Sequence, residues 1–497
     1  MRRFSNGIIT LHRITGTIVS LFFAMWFLTG LVLIYHGYPG VEDADLNRHR
    51  ENLPDSLPAL QAMLDRLPGD VMPTQVSLRQ FQGQTLFSLG NRDTSFTFCP
   101  DPSEPVRPVD WQTVESVARR WVNAEPVRVD TLFKRAQWIL YSSYDSKLPI
   151  YRLSYDDPAH HEIFISQRDA EVQQFTDLRS RLWAYFGAIP HKFYIPAIRG
   201  DADKWKVWIT VGGIFCIIAA LTGLYTGIYR LVQRHRRQKG WGTPYRKRVY
   251  RWHHVAGLVF GLFMLAWGIS GAMSMQRIPT WLVPMQGDYF FSSSKMWDKR
   301  RDLPLAEWKL DYRLLKQAWP ELKEVEWTHF GAVPAYRIVE GENERYVDAR
   351  GPVPVELTIP ETEVAAGVRR INGDDAVFRI EEMDHYDDYY LSRWNTLTLP
   401  VYKVTVDDAD GQVYYVNPKT GHVRYLTRNK MVKKWVFSGI HYLNIRWLIE
   451  RPVLWTIAIW TLCLGGAFVS LTGVVLGIRF IRRQFRRFGR KGKVLQD

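Results

Sequence analysis

Four apolar stretches, at residues 14–35, 207–229, 255–275 and 453–478, contain no Asp, Glu, Lys or Arg. Each has at least 21 residues, and an α-helix needs about 20 to cross the hydrocarbon core of a bilayer. Backbone in lipid must satisfy its own hydrogen bonds, so each stretch is expected to be a membrane-spanning helix. The length of 497 residues would otherwise suggest about three soluble domains, a reading these stretches exclude. A slightly negative mean hydropathy (-0.21) is no objection, because most of the chain lies outside the stretches.

The net charge of +15 points first to nucleic acid, and its distribution removes that class. Residues 230–251 carry nine Lys/Arg and no acid, the tail from Arg479 carries eight against Asp497 alone, and Arg2, Arg3 and Arg13 precede the first stretch. These segments hold +19, which leaves −4 for everything else. Basic residues flanking membrane helices on one side are the positive-inside pattern. Both termini and the 231–251 loop are therefore expected in the cytoplasm, against anionic lipid headgroups. Three cysteines, Cys99, Cys216 and Cys463, with no CxxC or CxxCH, offer neither a disulfide framework nor covalent haem attachment. The first stretch is too long for a signal-peptide core and runs on without a small-residue cleavage site, so it is expected to be retained.

The chain repeats itself. Leu11-His12-Arg13-Ile14-Thr15-Gly16 and Leu28-Thr29-Gly30 return as Trp252-His253-His254-Val255-Ala256-Gly257 and Ile269-Ser270-Gly271, 241 residues later. Leu221-Thr222-Gly223 returns as Leu471-Thr472-Gly473, 250 residues later, and the same offset lands His191 on His441. The plan is helix, outer domain, helix, written twice, with the halves related by a pseudo-twofold axis along the membrane normal. The outer segments repeat too. Leu148-Pro149-Ile150-Tyr151-Arg152-Leu153, Val333-Pro334-Ala335-Tyr336-Arg337-Ile338 and Leu399-Pro400-Val401-Tyr402-Lys403-Val404 share one pattern, each followed by a second β-rich stretch. Alternation bounded by Asp/Gly turns predicts antiparallel hairpins. Helical patterns at 113–122 and 361–371 precede two of them, so at least three small α+β modules are expected, with a fourth possible in 58–98.

Ionisable groups at membrane helices are costly and become functional candidates by default. A lone interfacial His is ordinarily a snorkelling amphipathic side chain; pairing by the repeat alters that reading. His12 and His253 are equivalent at the cytoplasmic mouths of helices one and three, and His191 and His441 are equivalent on the outer side, ahead of helices two and four. A twofold axis makes equivalent positions face one another. Two facing imidazoles suit a planar macrocycle held on both axial sides, bis-His haem, and suit tetrahedral zinc poorly, because no further Cys, Asp or Glu accompanies them. The [Leu/Ile]-[Thr/Ser]-Gly motifs lie level with these histidines and would let a flat ring approach the backbone, or else serve ordinary helix packing. His254 points about 100° away from His253 and stays as a less favoured ligand. His36, whose repeat position holds Arg277, does likewise. His160, His161, His329, His385 and His422 are read as solvated surface residues. No GxGxxG after a strand, GxxxxGK[ST], HExxH or GxSxG occurs, so dinucleotide, ATPase and protease motifs are absent.

In these residues the chain resembles the PepSY-associated transmembrane proteins of bacterial inner membranes. The resemblance rests on the four-helix plan, on LHRITG at 11–16 and WHHVAG at 252–257, on His191 and His441, and on the stretch 401–423. It implies an inner-membrane protein with two haem b groups on His12, His253, His191 and His441. It also implies, by way of characterised relatives, reduction of ferric siderophores on the periplasmic side. The loops are longer than in compact siderophore-reductase relatives, and residue 254 is His where the family often has Arg.

The expected organisation is residues 1–36 N-terminus and helix, 37–204 a periplasmic PepSY-like α+β domain, 205–230 helix and 231–251 basic loop. The second half has 252–275 helix, 276–452 a periplasmic domain with two PepSY-like modules, 453–479 helix and 480–497 basic tail. The expected function is a di-haem oxidoreductase passing electrons from a quinol or a cytoplasmic reductase to a periplasmic ferric siderophore or another acceptor, with no residue singled out as catalytic. Trp183, Tyr185, Phe186, Phe193, Tyr194, Trp435, Tyr442 and Trp447 would line the acceptor site or form an interfacial belt. The alternatives are a membrane-anchored PepSY protein that binds or inhibits a partner such as a protease, and a transporter of haem or iron chelates.

Overall fold

The protein is described from a computed structural model; the described residues are all except 1, 70, 92, 239, 300, 301 and 495–497, with the side chains of 2 and 487–494 also outside the description. Lys239, Arg2's side chain and the basic side chains of the tail from residue 487 onward therefore lie outside the described residues.

Each apolar stretch is a helix: α1 Arg2–Leu33, α2 Ala202–Gln238, α3 Arg248–Met273 and α4 Pro452–Val494. All four are long and apolar enough to cross a membrane. Helix α2 overruns its expected end at 230 by eight residues, and α4 runs through most of the expected tail. The 231–251 loop is thus helical at both ends. Lys and Arg are good helix formers and are favoured near a helix C-terminus, so the helix need not stop where its apolar residues do.

α1 packs against α2 and α4, and α3 packs against the same two, so α1 and α3 face each other across the bundle. The centre holds Val19, Phe23, Phe27, Met264 and Val469. Gly466 of α4 is needed there, because a Cβ would lie 2.6 Å from the Phe27 ring. The outward faces remain apolar: Ile18, Leu21, Leu262 and Ile457 are all exposed. Helices that are apolar all round need an apolar surrounding, which the bilayer supplies.

Both long insertions leave and re-enter the bundle at one end. The first contributes β1 Gln75–Phe81, β2 Gln84–Gly90, β3 Ser95–Phe98, β4 Arg128–Leu132, β5 Ile150–Ser154, β6 Glu162–Ser166 and β7 Val172–Thr176. The second contributes β8 Leu322–Phe330, β9 Val333–Glu340, β10 Asn343–Asp348, β11 Val355–Glu356, β12 Phe378–Met383, β13 Val401–Val406, β14 Val413–Val416 and β15 Val423–Leu426. The three Pro-Tyr-basic motifs fall on β5, β9 and β13, each hydrogen-bonded to an antiparallel neighbour on both sides. The helix Trp111–Trp121, capped by Asp110 accepting from the Thr113 amide at 2.8 Å, lays Val114, Val117 and Ala118 on the β4–β7 sheet. The helix Glu361–Asn372 does the same with Val364 and Val368 on the β12–β15 sheet.

The organisation into two separate outer domains changes here. β1 pairs with β8, Val76 opposite Trp327 and Leu78 opposite Val325, so one seven-stranded sheet runs β11-β10-β9-β8-β1-β2-β3 across both insertions. Leu78, Phe87, Val325, Trp327 and Tyr336 share one buried cluster. The hairpin β1–β2 has an apolar face that its own segment cannot cover, and the second insertion covers it. His329 also departs from expectation: it lies on β8, 2% exposed, with Nδ1–H donating to the Gly331 carbonyl, because its position in the strand points inward.

Candidate functional site

The histidines pair as the repeat offsets pair them. The His12 and His253 rings have centres 6.3 Å apart, at the end of the bundle away from the sheets. The His191 and His441 rings have centres 6.2 Å apart, at the sheet side. Thr29, beside His191, lies 17 residues beyond His12 on α1, and Ser270, beside His441, lies 17 beyond His253 on α3. At about 1.5 Å per residue the two pairs are about 25 Å apart along the bundle.

Each ring is held through Nδ1. His12 Nδ1–H donates to the Ala219 carbonyl of α2 at 3.1 Å, and His253 Nδ1–H to the Val469 carbonyl of α4 at 3.2 Å, with Thr472 Oγ1 at 3.0 Å. His191 Nδ1–H donates to the Trp26 carbonyl at 3.1 Å, with Thr29 Oγ1 at 3.2 Å. For His441 the acceptor is Ser270 Oγ at 3.0 Å, whose own proton goes to the Trp267 carbonyl. A carbonyl only accepts, so a neutral ring keeps its proton on Nδ1 and leaves the Nε2 lone pair free. Among the described residues no hydrogen bond engages Nε2 of any of the four. Burial lowers the pKa of His191, helped by His441 beside it, and burial lowers that of His441. Burial thereby favours the neutral form of both rings.

The backbone around the sheet-side pair is built twice. His191 lies in the last turn of the short helix Ala188–Lys192, and His441 follows a π-helical turn, Trp435–Gly439. Two residues after each, Phe193 (φ 51°) and Leu443 (φ 52°) take the left-handed conformation, which non-glycine residues seldom adopt. Trp205 Nε1–H donates to the Lys192 carbonyl at 2.6 Å, and Trp455 Nε1–H to the Tyr442 carbonyl at 2.9 Å. Every one of these matches falls at the 250-residue offset.

The Thr/Ser-Gly motifs lie against the histidines themselves. Thr29, Ser270 and Thr472 reach Nδ1, and Thr222 does not, bonding its own helix instead. A Cβ at Gly223 would lie 2.8 Å from His12 Cε1, and one at Gly30 would lie 3.2 Å from His191 Cε1. These glycines admit the imidazole edge-on, which differs from the expected close approach of a macrocycle to the backbone. At Gly271 nothing lies within 4 Å.

His254 points elsewhere: its Nε2 meets the Gly227 carbonyl of α2 at 3.0 Å and its ring abuts Tyr245. His36 stacks on Trp183, ring centres 4.2 Å apart. Neither joins a histidine pair. Of the eight aromatics singled out, Tyr194 and Tyr442 line a cavity at the sheet-side pair, Phe193 packs on Trp26, and Tyr185, Phe186 and Trp447 are exposed. The cavity, about 650 Å³, is lined by His191, His441, Trp26, Trp267, Trp455 and small residues including Gly30, Gly213, Gly268 and Gly271. Its size is that of a cofactor site, about 300–1,000 Å³. Sequence reasoning missed Lys192 and Arg393, which also line it; Arg393 comes from a loop far along the chain and carries no local signal.

Two imidazoles cannot complete a metal's coordination, and among the described residues no group of three or more His, Cys, Asp or Glu stands ready to hold a metal ion. A macrocycle is one source of the remaining ligands. With a metal–nitrogen distance of about 2.0 Å and a nitrogen about 1.1 Å from its ring centre, two coaxial imidazoles on one metal have centres about 6.2 Å apart. Both pairs match that separation, and both have the Nδ1–H anchored to backbone or hydroxyl oxygen that ligating histidines characteristically show. The residues present fit haem.

The four long apolar helices and the sheets at one end of them define a membrane protein. The chain matches the family described as the PepSY-associated TM region over residues 9–306, and it belongs to that family. The matched region contains His12, His191 and His253. No curated protein matches the chain.

Proposed function

We propose that this protein is a di-haem b oxidoreductase of the bacterial inner membrane that carries electrons to a periplasmic acceptor, iron(III) held by a siderophore. His12 and His253 hold one haem b; His191 and His441 hold the other. The observation that carries the reading is the pair of imidazoles at each end of the bundle, 6.3 Å and 6.2 Å between centres, each anchored through Nδ1. The chain is a duplicated helix–domain–helix unit. Its basic rim, with both termini, faces the cytoplasm, as the positive-inside rule requires, and its sheets lie in the periplasm.

When bound, haem supplies reversible one-electron chemistry at its iron. The chain's residues set the conditions. The carbonyls of Ala219, Val469 and Trp26 and the Ser270 hydroxyl fix each ring's tautomer and direction. Phe23, Phe27 and Trp267, with Phe27 and Trp267 ring centres 5.2 Å apart, keep the space between the two sites dry. The donor is a quinol in the membrane or a cytoplasmic reductase drawn to the basic rim. Each Fe(III) taken to Fe(II) consumes one electron, and the less highly charged ion binds hard oxygen ligands far more weakly, so reduction releases the metal from its chelator.

The test is reoxidation of the dithionite-reduced protein, in nanodiscs, by a ferric hydroxamate siderophore, with ferrozine trapping Fe(II). The expected result is loss of the reduced-haem absorption with one Fe(II) formed per electron given up. A reduced spectrum that the chelate leaves unchanged contradicts the proposed acceptor.

A further inference from the structure

Among the described residues lining the sheet-side cavity there is no Asp or Glu, yet Lys192 and Arg393 reach it. Arg393 stands at the tip of a loop between β12 and β13, in the segment Leu391-Ser392-Arg393-Trp394 that dips to the cavity mouth. That loop is braced. Asp387 accepts from the Tyr389 and Tyr390 amides, from the Tyr415 hydroxyl at 2.7 Å and from Lys403 at 3.0 Å. Tyr390 donates across it to the Thr398 carbonyl. The guanidinium lies 3.3 Å from the Trp455 ring centre and 4.5 Å from that of Trp394. It is thus packed against two indoles, and among the described residues it has no carboxylate partner. Lys192, next to His191, likewise has no carboxylate partner there; its ammonium sits 5.4 Å from the Tyr194 ring centre.

A partly buried cation without a counter-ion is costly, and a rigid guanidinium matches a carboxylate in bidentate fashion. We infer that Arg393 and Lys192 are the anchor for the carboxylate groups of the ligand held between His191 and His441. On the reading proposed above, these are the two propionates of the sheet-side haem. The sheet-bearing insertion would then complete the cofactor site, with Arg393 and Lys192 holding the carboxylates and Phe27 and Trp267 supplying apolar lining. Arg393 and Lys192 are positioning residues for the macrocycle.

The experiment uses the full-length chain with R393Q, K192Q, the double variant and R393K, following haem transfer to excess apomyoglobin and the midpoint potentials of both haems. The double variant is expected to lose its sheet-side haem at least tenfold faster than the unmodified chain. Its potential should fall, because a positive charge that disfavours the oxidised form has gone; the other haem should be unchanged. R393K keeps the charge but loses the bidentate fork and the stacking, so its haem loss should fall between those of the unmodified chain and R393Q. Reconstitution with iron protoporphyrin dimethyl ester should reproduce the loss in the unmodified chain and add nothing in the double variant. Transfer rates and potentials unchanged in the double variant, with two haems bound, overturn the anchor and leave the haem reading intact. A higher KM for an anionic ferric chelate with unchanged haem retention assigns the cations to the acceptor and overturns it too. An unmodified chain without haem overturns the underlying reading.

Discussion

Replacing His253 by Ala is expected to leave one haem per chain where the proposed function gives the unmodified protein two, and replacing His254 by Ala is expected to leave both. The contrast is large because adjacent residues on α3 face different partners. His253 faces His12 across 6.3 Å, its Nδ1–H spent on the Val469 carbonyl and its Nε2 free. His254 has Nε2 against the Gly227 carbonyl, so it ties α3 to α2. Its loss costs one hydrogen bond, about 1 kcal/mol, and no ligand. Haem per chain by the pyridine haemochrome method separates the two. Two haems retained in His253→Ala, or one lost in His254→Ala, would reverse the ligand assignment.

Leu78→Ala is expected to loosen both insertions together. Leu78 is fully buried on β1 opposite Val325 of β8, and truncating a buried Leu costs about 2–5 kcal/mol. The cavity opens inside a core that Leu53, Phe87, Val325 and Tyr336 share, residues drawn from both insertions. Hydrogen exchange should therefore quicken in β1–β3 and in β8–β10 by similar factors, with β13 and β14 unaffected. Faster exchange confined to β1–β3 would mean that the shared sheet does not fold as one unit.

Helices and the histidine pairs were legible in the sequence for different reasons. An uncharged run of 21 residues has one stable structure in a bilayer, so existence and approximate place followed at once; the ends did not, because Arg234, Arg236 and Arg237 continue α2 as readily as apolar residues do. The pairing of His191 with His441 followed from an offset, which carries tertiary information that local propensity lacks. Hairpins were readable from alternation. The pairing of β1 with β8 was not, since an alternating strand specifies an apolar face and leaves open which strand covers its edge. The Thr and Ser of the helix motifs drew notice, but their role depends on a histidine from another helix. Arg393 was invisible: one Arg in a loop becomes meaningful only when Trp455 and the cavity arrive beside it.

Central to the account is that each histidine pair holds a haem. The most direct measurement is the dithionite-reduced-minus-oxidised absorption spectrum of the purified full-length protein, with haem and protein quantified on the same sample. The account predicts sharp α and Soret bands of six-coordinate haem b at two haems per chain. A stable, monodisperse and colourless preparation that takes up no added haem would contradict it.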